Sequence, residues 1–149
     1  MLLHFESVSM KNRKEMEALQ VYPAQCGFIE SVSECLCEAD QASSWHPVGI
    51  CDGQMLIGFA MYGYFESPPP GRLWLDRLLI DKTHQGKGYG RASIRALLEK
   101  LHREYDSREV YLSVYENNKK AVSLYQQIGF RFHGQYDTKG EKIMVYVFE

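Results

Sequence analysis

From Glu15 to Gly71 the sequence contains no lysine and no arginine, while eight acidic residues, Glu15, Glu17, Glu30, Glu34, Glu38, Asp40, Asp52 and Glu66, give that stretch a net charge of −8. The chain from Arg72 onward is the reverse, with 14 Lys and Arg against 10 Asp and Glu, a net of +4. Such asymmetry suits two halves that face partners of opposite sign, or else a solvated acidic face with no partner at all. The overall net charge of −2 implies neither a nucleic-acid nor a membrane partner.

Other absences narrow the field. No apolar run approaches the roughly 20 residues of a membrane span, and Met1–Glu6 lacks a basic segment followed by an apolar one, so a cytoplasmic protein is expected. Cysteine is sparse: Cys26, Cys35, Cys37 and Cys51 all fall in the first third, and Cys35-x-Cys37 has neither zinc nor redox spacing. Ordinary reduced, mostly buried thiols are expected. The five histidines, His4, His46, His84, His102 and His133, show no ligand spacing and read as surface or hydrogen-bonded residues, so no metal is expected. There is no internal repeat, and the only linker-like stretch, Glu66–Gly71, is too short to divide domains.

What remains is a chain of 149 residues, the size of a single domain spanning 1–149. Leu2–Val8 reads as a strand, and Ser9 opens a helix to about Gln20. A second helix is expected over Ile29–Gln41, where Phe28, Val32 and Leu36 form an apolar stripe and Glu30, Glu34 and Glu38 an acidic one. Val48–Cys51 and Met55–Phe65 flank an Asp52-Gly53 hairpin turn, and Arg72–Ile80 is a further strand. Ile94, Leu97, Leu98 and Leu101 mark one face of a helix over Arg91–Tyr105. A strand over Val110–Val114, a short helix over Asn118–Ile128 closed by Gly129, and strands over Arg131–Tyr136 and Lys142–Phe148 complete the chain. The order β-α-α-β-β-β-α-β-α-β-β predicts an α/β protein.

Chemistry concentrates in Gln85-Gly-Lys-Gly-Tyr-Gly-Arg91, between a strand and an amphipathic helix. Glycines at 86, 88 and 90 let backbone N–H groups approach one anion, and the helix dipole adds partial positive charge, with Lys87 and Arg91 at the rim. A glycine-rich turn serving only chain reversal is the alternative. The pattern is not a P-loop, which requires Gly-x-x-x-x-Gly-Lys-Ser/Thr. Nor is it a dinucleotide fingerprint: the spacing is Gly-x-Gly-x-Gly, it follows several antiparallel strands, and Glu109 begins the next strand instead of ending it.

Gln85-Gly-Lys-Gly88-Tyr-Gly90, the Leu78-Leu79-Ile80 strand before it, and Asn117-Asn118 through Tyr125 to Gly129-Phe130 together resemble the GNAT superfamily of N-acetyltransferases. More narrowly, Phe28-Ile29-Glu30-Ser31, Pro47-Val48-Gly49, Gly58–Gly63, Trp74-Leu75-Asp76-Arg77 and Gly140-Glu141-Lys142 resemble spermine/spermidine acetyltransferases of the Bacillus type. The likeness covers most of the chain, with its specific motifs between Trp74 and Phe130. It implies the GNAT fold, a mixed, mostly antiparallel sheet of six to seven strands with about four helices on both faces. It also implies acetyl-CoA as cosubstrate and a small cationic amine as partner. A homodimer is common in the family, with no independent signal in the sequence.

Amine acetylation needs a neutral nucleophile, a donor toward the developing oxyanion and a proton for the departing thiolate. An amine with a pKa near ~10 holds its proton at pH 7, and freeing it costs about 4 kcal/mol. The resemblance makes Asp76 the first candidate for the base, with an ion pair to Arg72, Arg77 or Arg91 as its alternative. It makes Tyr125 the proton donor to sulfur, unless that ring is a core aromatic beside Ala121 and Ile128. By the same likeness Leu78, Leu79 and Ile80 contact the pantetheine arm, amides near Leu78 and Leu79 serve the oxyanion, and Gln85, Gly86, Lys87, Gly88, Tyr89, Gly90 and Arg91 hold the pyrophosphate. Asn118 contacts CoA or simply caps its helix.

The acidic first half then acquires a use as the lining of a polycation pocket. Glu30 is the leading residue and Glu34 the next, with Trp74 and Tyr64 packing on methylene spacers or sitting in the core. A polyamine such as spermidine or spermine is the expected acceptor. The alternatives are a different amine, such as a protein N-terminus, an amino acid or a drug, and a non-catalytic acyl-CoA sensor.

Overall fold

Met55–Phe65 and Arg72–Ile80 are rich in β-branched, aromatic and leucine side chains and form the two longest strands of a seven-stranded sheet. The computed structural model describes residues 1–149. In chain order the elements are β1 (Leu3–Ser7), α1 (Arg13–Glu17), α2 (Val32–Gln41), β2 (His46–Asp52), β3 (Met55–Phe65), β4 (Arg72–Ile80), α3 (Tyr89–Glu104), β5 (Glu109–Val114), α4 (Lys119–Ile128), β6 (Arg131–Tyr136) and β7 (Lys142–Val147). Short 3₁₀ turns at Pro23–Gln25 and Lys82–His84 complete the set. The strand order is β1-β2-β3-β4-β5-β7-β6, antiparallel throughout except for β4 and β5. The expected element order, mixed sheet and four helices are all present.

Each face of the sheet carries its own core. The apolar stripe of α3, Ile94, Leu97, Leu98 and Leu101, packs on Ile57, Leu73, Leu75, Val110 and Leu112, with α4 residues at its margin. On the other face Met16 of α1 and Val32, Cys35 and Leu36 of α2 cover Phe59, Met61 and Leu79. Two irregularities switch strand residues between faces. Ile57 is an extra residue in β3 opposite the Ile50–Cys51 step, and Arg77-Leu78 of β4 oppose the single residue Ala60. After the second bulge Leu79 points to the α2 side, although Leu73 and Leu75 point to the α3 side.

The helices differ from expectation where side chains compete with the helical ladder. Asn12 accepts the Ser9 N–H through Oδ1 and donates to Ser7 O through Nδ2, so the chain turns before α1, which is only five residues long. α2 begins at Val32 and not at Ile29, because Ser31 and Glu34 form a capping box: Ser31 Oγ accepts the Glu34 N–H at 3.1 Å and Glu34 Oε1 accepts the Ser31 N–H at 3.0 Å. Glu30 therefore lies ahead of the helix, not on a helical stripe shared with Glu34 and Glu38. Of the thiols expected to be mostly buried, Cys35 and Cys51 are, whereas Cys26 and Cys37 are exposed.

β4 and β5 touch in register only at Trp74 and Tyr111, and beyond that point the two strands part. The gap between parallel neighbours opens the sheet at the C-terminal ends of its strands, next to the N-terminus of α3. That opening holds the candidate site.

Candidate active site

A cleft of about 400 Å³ occupies the gap, floored by Leu75–Ile80 on one side and Leu112–Val114 on the other. One end is closed by Gln85, Gly86, Gly88, Tyr89 and Gly90, and the α4 wall by Asn118, Ala121, Leu124 and Tyr125. Phe28, Ile29 and Glu30 approach from the segment before α2, and Glu141 from the turn before β7.

The glycine end is built by backbone conformation. Gly86 has φ +78 and Gly88, the N-cap of α3, φ +86, both in the left-handed region that side chains other than glycine resist. The first α3 hydrogen bond is Ala92 N–H to Gly88 O, which leaves the amides of Tyr89, Gly90 and Arg91 without a protein acceptor at the positive end of the helix dipole. A Cβ at Gly86 would meet no protein atom within 4 Å, so its left-handed φ is what demands glycine there. Gln85 braces the turn: its Nε2 donates to Ile80 O at 3.0 Å and to Gln25 Oε1 at 2.9 Å. The Tyr89 hydroxyl is held by Asp52. Lys87 is exposed and Arg91 bonds Gln127 of α4, so both cations lie outside the lining. Free amides, cations at the rim and a slot between parted strands fit the pyrophosphate and pantetheine of an acyl-CoA.

At the other end three acidic groups and a tyrosine converge. Asp76 Oδ1 accepts the Ser113 N–H at 3.2 Å, and its Oδ2 lies 3.9 Å from Arg77 Nη1. Burial pushes the Asp76 carboxyl up to about 7, against the pull of Arg77 and of the Ser113 amide. Burial also raises Glu141 to about 7, reinforced by the like charges of Asp137 and Glu30. The Tyr125 phenol is raised by burial and by the charges of Asp76 and Glu141. Its ring packs edge-on to Phe130 at 5.7 Å, so Tyr125 is at once a core aromatic and a cleft residue.

Three expectations for the acceptor pocket change. Glu34 is exposed and engaged in the α2 cap, away from the cleft. Trp74 does not line the cleft either: it packs on Tyr111 at 5.6 Å and joins Ile143 and Val145, because β4 and β5 are still paired at that point. The acidic cluster is also not free of cations. Arg77 reaches Glu30 at 3.2 Å and Glu38 at 3.3 Å, and Lys139 from the β6–β7 turn reaches Glu30 at 2.8 Å. Burial raises the Glu30 carboxyl, but the Lys139 hydrogen bond and the Arg77 charge outweigh it and hold it below its usual value.

The sequence offered no role for Glu141, Lys139 or His84 and offered Arg77 only as a possible ion-pair partner of Asp76, the one of the three candidate arginines that approaches it, at 3.9 Å. Glu141 and Lys139 arrive because β7 inserts between β5 and β6, which local pattern does not reveal. His84, read as a surface or hydrogen-bonded residue, instead lines the cleft with Nδ1 buried and unpartnered.

The acetyltransferase (GNAT) family model matches residues 10–130. The chain belongs to the GNAT family of acetyltransferases. It is 42% identical to the spermine/spermidine N(1)-acetyltransferase of Bacillus subtilis strain 168 over 97% of its own length and 98% of the relative's. The probable spermine N(1)-acetyltransferase of Bacillus subtilis subsp. natto matches to the same extent, 42% over 97% and 98%. Among solved structures, spermidine N-acetyltransferase from Vibrio cholerae with CoA and spermine superposes with a TM-score of 0.74 at 21% identity, covering 98% of this chain and 95% of that one. An aminoglycoside acetyltransferase with coenzyme A gives 0.80 at 18% identity, covering 97% and 94%. No helix is long and apolar enough to cross a membrane.

Proposed function

We propose that the protein transfers an acetyl group from acetyl-CoA to a primary amine of a polyamine such as spermidine or spermine, by direct attack in a ternary complex. The observation that carries this reading is the 42% identity to a spermine/spermidine acetyltransferase across nearly the whole of both chains. The cleft supports it, with amides for phosphate at one end and carboxylates at the other.

The acyl-CoA supplies the activated thioester. The amides of Tyr89, Gly90 and Arg91 hold its diphosphate at the α3 N-terminus, and β4 from Leu78 to Ile80 offers backbone to the extended arm where β5 has left it. Glu30 draws an ammonium group toward the cleft. Asp76 assists deprotonation, and Tyr125 gives a proton to the leaving sulfur. The raised phenol suits that role, because Tyr125 stays protonated at neutral pH.

The test is an amine panel with acetyl-CoA, read as free thiol. Release with spermidine and spermine but not with peptides, amino acids or aminoglycosides is expected. Release only with one of those other classes moves the acceptor, and CoA binding without turnover on any amine makes the chain a sensor.

A further inference from the structure

Glu141 is 6% exposed, yet its carboxylate makes no hydrogen bond and no ion pair. Its place is fixed by its backbone: the Glu141 N–H donates to Asp137 Oδ1 at 2.8 Å, and Glu141 O accepts the Asp137 N–H at 2.8 Å. The Glu141 oxygens are not sealed in the core but open onto the cleft, so the unpartnered carboxylate is available to a bound group. It lies beside Tyr125. Asp76 differs, with one oxygen on the Ser113 amide and the other toward Arg77, and its side chain is 10% exposed.

We propose that Glu141 is the catalytic carboxylate that receives the proton of the acceptor ammonium, and that Asp76 assists by charge from its tether on Ser113. The inference rests on the amine-acetyltransferase reading and names the atom that takes the proton. One ammonium proton moves to a Glu141 oxygen, leaving a neutral amine. Its lone pair forms the C–N bond to the acyl carbon as the C–S bond breaks, and the Tyr125 proton goes to sulfur. The second proton of the attacking nitrogen returns to the Tyr125 oxygen, and the proton on Glu141 leaves to solvent. The products are the N-acetyl amine, free thiol and one proton. The charged and titratable groups around Glu141 are Asp137 and Lys139 of its own turn, Glu30 before α2, Asp76 and Arg77 of β4, and Tyr125 of α4.

The experiment is the pH profile of kcat/KM for wild type, Glu141→Gln, Glu141→Asp and Asp76→Asn on the best amine of the panel, with CoA affinity measured in parallel. Glu141→Gln is expected to lose about 10²–10⁴-fold in kcat/KM at neutral pH, with CoA affinity retained. The Glu141 inflection near 7 should go, leaving a weaker one from Asp76, moved to lower pH by loss of the like charge, and a rate that climbs with the ionisation of the amine. Glu141→Asp should keep an inflection at reduced kcat, which preserves the test if the glutamine variant fails to fold. Asp76→Asn should keep the inflection but move it to lower pH, since a like charge is gone. A loss in Glu141→Gln no larger than in Asp76→Asn, or an inflection that disappears only in Asp76→Asn, overturns the assignment. Turnover on a non-polyamine alone overturns the polyamine reading and leaves Glu141 to be judged on that amine; turnover on no amine overturns both.

Discussion

The carboxylate of Asp76 accepts the main-chain N–H of Ser113 at 3.2 Å where β4 and β5 stop pairing. One side chain thus satisfies an amide that a continuous sheet would have paired, and holds the cleft open without an unpaired donor. Asp76→Ala leaves that N–H unsatisfied, which costs about 1–3 kcal/mol, and removes a partner of Arg77. Asp76→Asn keeps an acceptor oxygen in place. Thermal unfolding should show a lower Tm for the alanine variant, on the order of 2–4 °C per kcal/mol for this size, and a smaller change for the asparagine variant. Equal losses in both would remove the amide bond as the reason.

That bond also marks the limit of what the sequence revealed. The strands, the α3 stripe and the glycine turn were legible because periodicity and glycine are local signals. The parting of β4 and β5 has no local signature, and it decides why Asp76 faces the cleft while Trp74, two residues earlier, does not. The bulge was silent for a simpler reason. Arg77 adopts φ +58, a conformation normally announced by glycine, and its side chain is stabilised there by Glu30 and Glu38. The engagement of Glu34 was readable: Ser31-x-x-Glu34 before an apolar run is a capping-box pattern.

Burial of Glu141 has a consequence for stability. Its carboxyl is raised from 4.5 to about 7 in the folded chain, so between those pH values the folded state binds more protons than the unfolded state. Stability therefore falls as pH rises through that window. Glu141→Gln removes the titration and should be more stable than wild type at pH 8, by an amount on the order of 2–4 °C, what ~1 kcal/mol is worth here. The advantage should shrink toward pH 4.5. A glutamine variant that is less stable at pH 8 than wild type would mean that the carboxylate has a partner.

Gly88 enters α3 with φ +86, and a side chain there strains the backbone by about 1–2 kcal/mol whatever the space available. Relief of the strain would rotate the amides of Tyr89 and Gly90 away from a shared anion. Gly88→Ala should weaken CoA binding, measured by calorimetry, by more than tenfold (~1.4 kcal/mol). KM for the amine should change little. Loss of amine affinity with CoA affinity intact would separate the turn from phosphate binding.

The Tyr125 hydroxyl has no hydrogen-bond partner in the protein, while its ring is fixed by Phe130. Tyr125→Phe keeps the ring and removes only the proton. Turnover with a verified acceptor should drop about 10²–10⁴-fold, the usual worth of one acid–base group, with CoA affinity retained. Unchanged kcat would remove the acid role.

Lys139 sits on Glu30 at 2.8 Å with its own side chain 48% exposed, so an incoming ammonium must compete with an internal one. Lys139→Ala frees Glu30 Oε1, while Oε2 stays on Arg77, and should lower KM for spermidine several-fold, since a surface pair is worth about 0.2–1 kcal/mol, leaving kcat in place. Glu30→Gln should raise KM for polyamines more than for monoamines, because charge complementarity acts on each ammonium. In the Glu30→Gln background Lys139→Ala should no longer lower KM, because the contact it breaks is gone. An effect of Lys139→Ala that persists in that background would place the lysine's influence on Glu38 or the turn itself, and equal effects of Glu30→Gln on mono- and polyamines would end the case for a charge-selected acceptor.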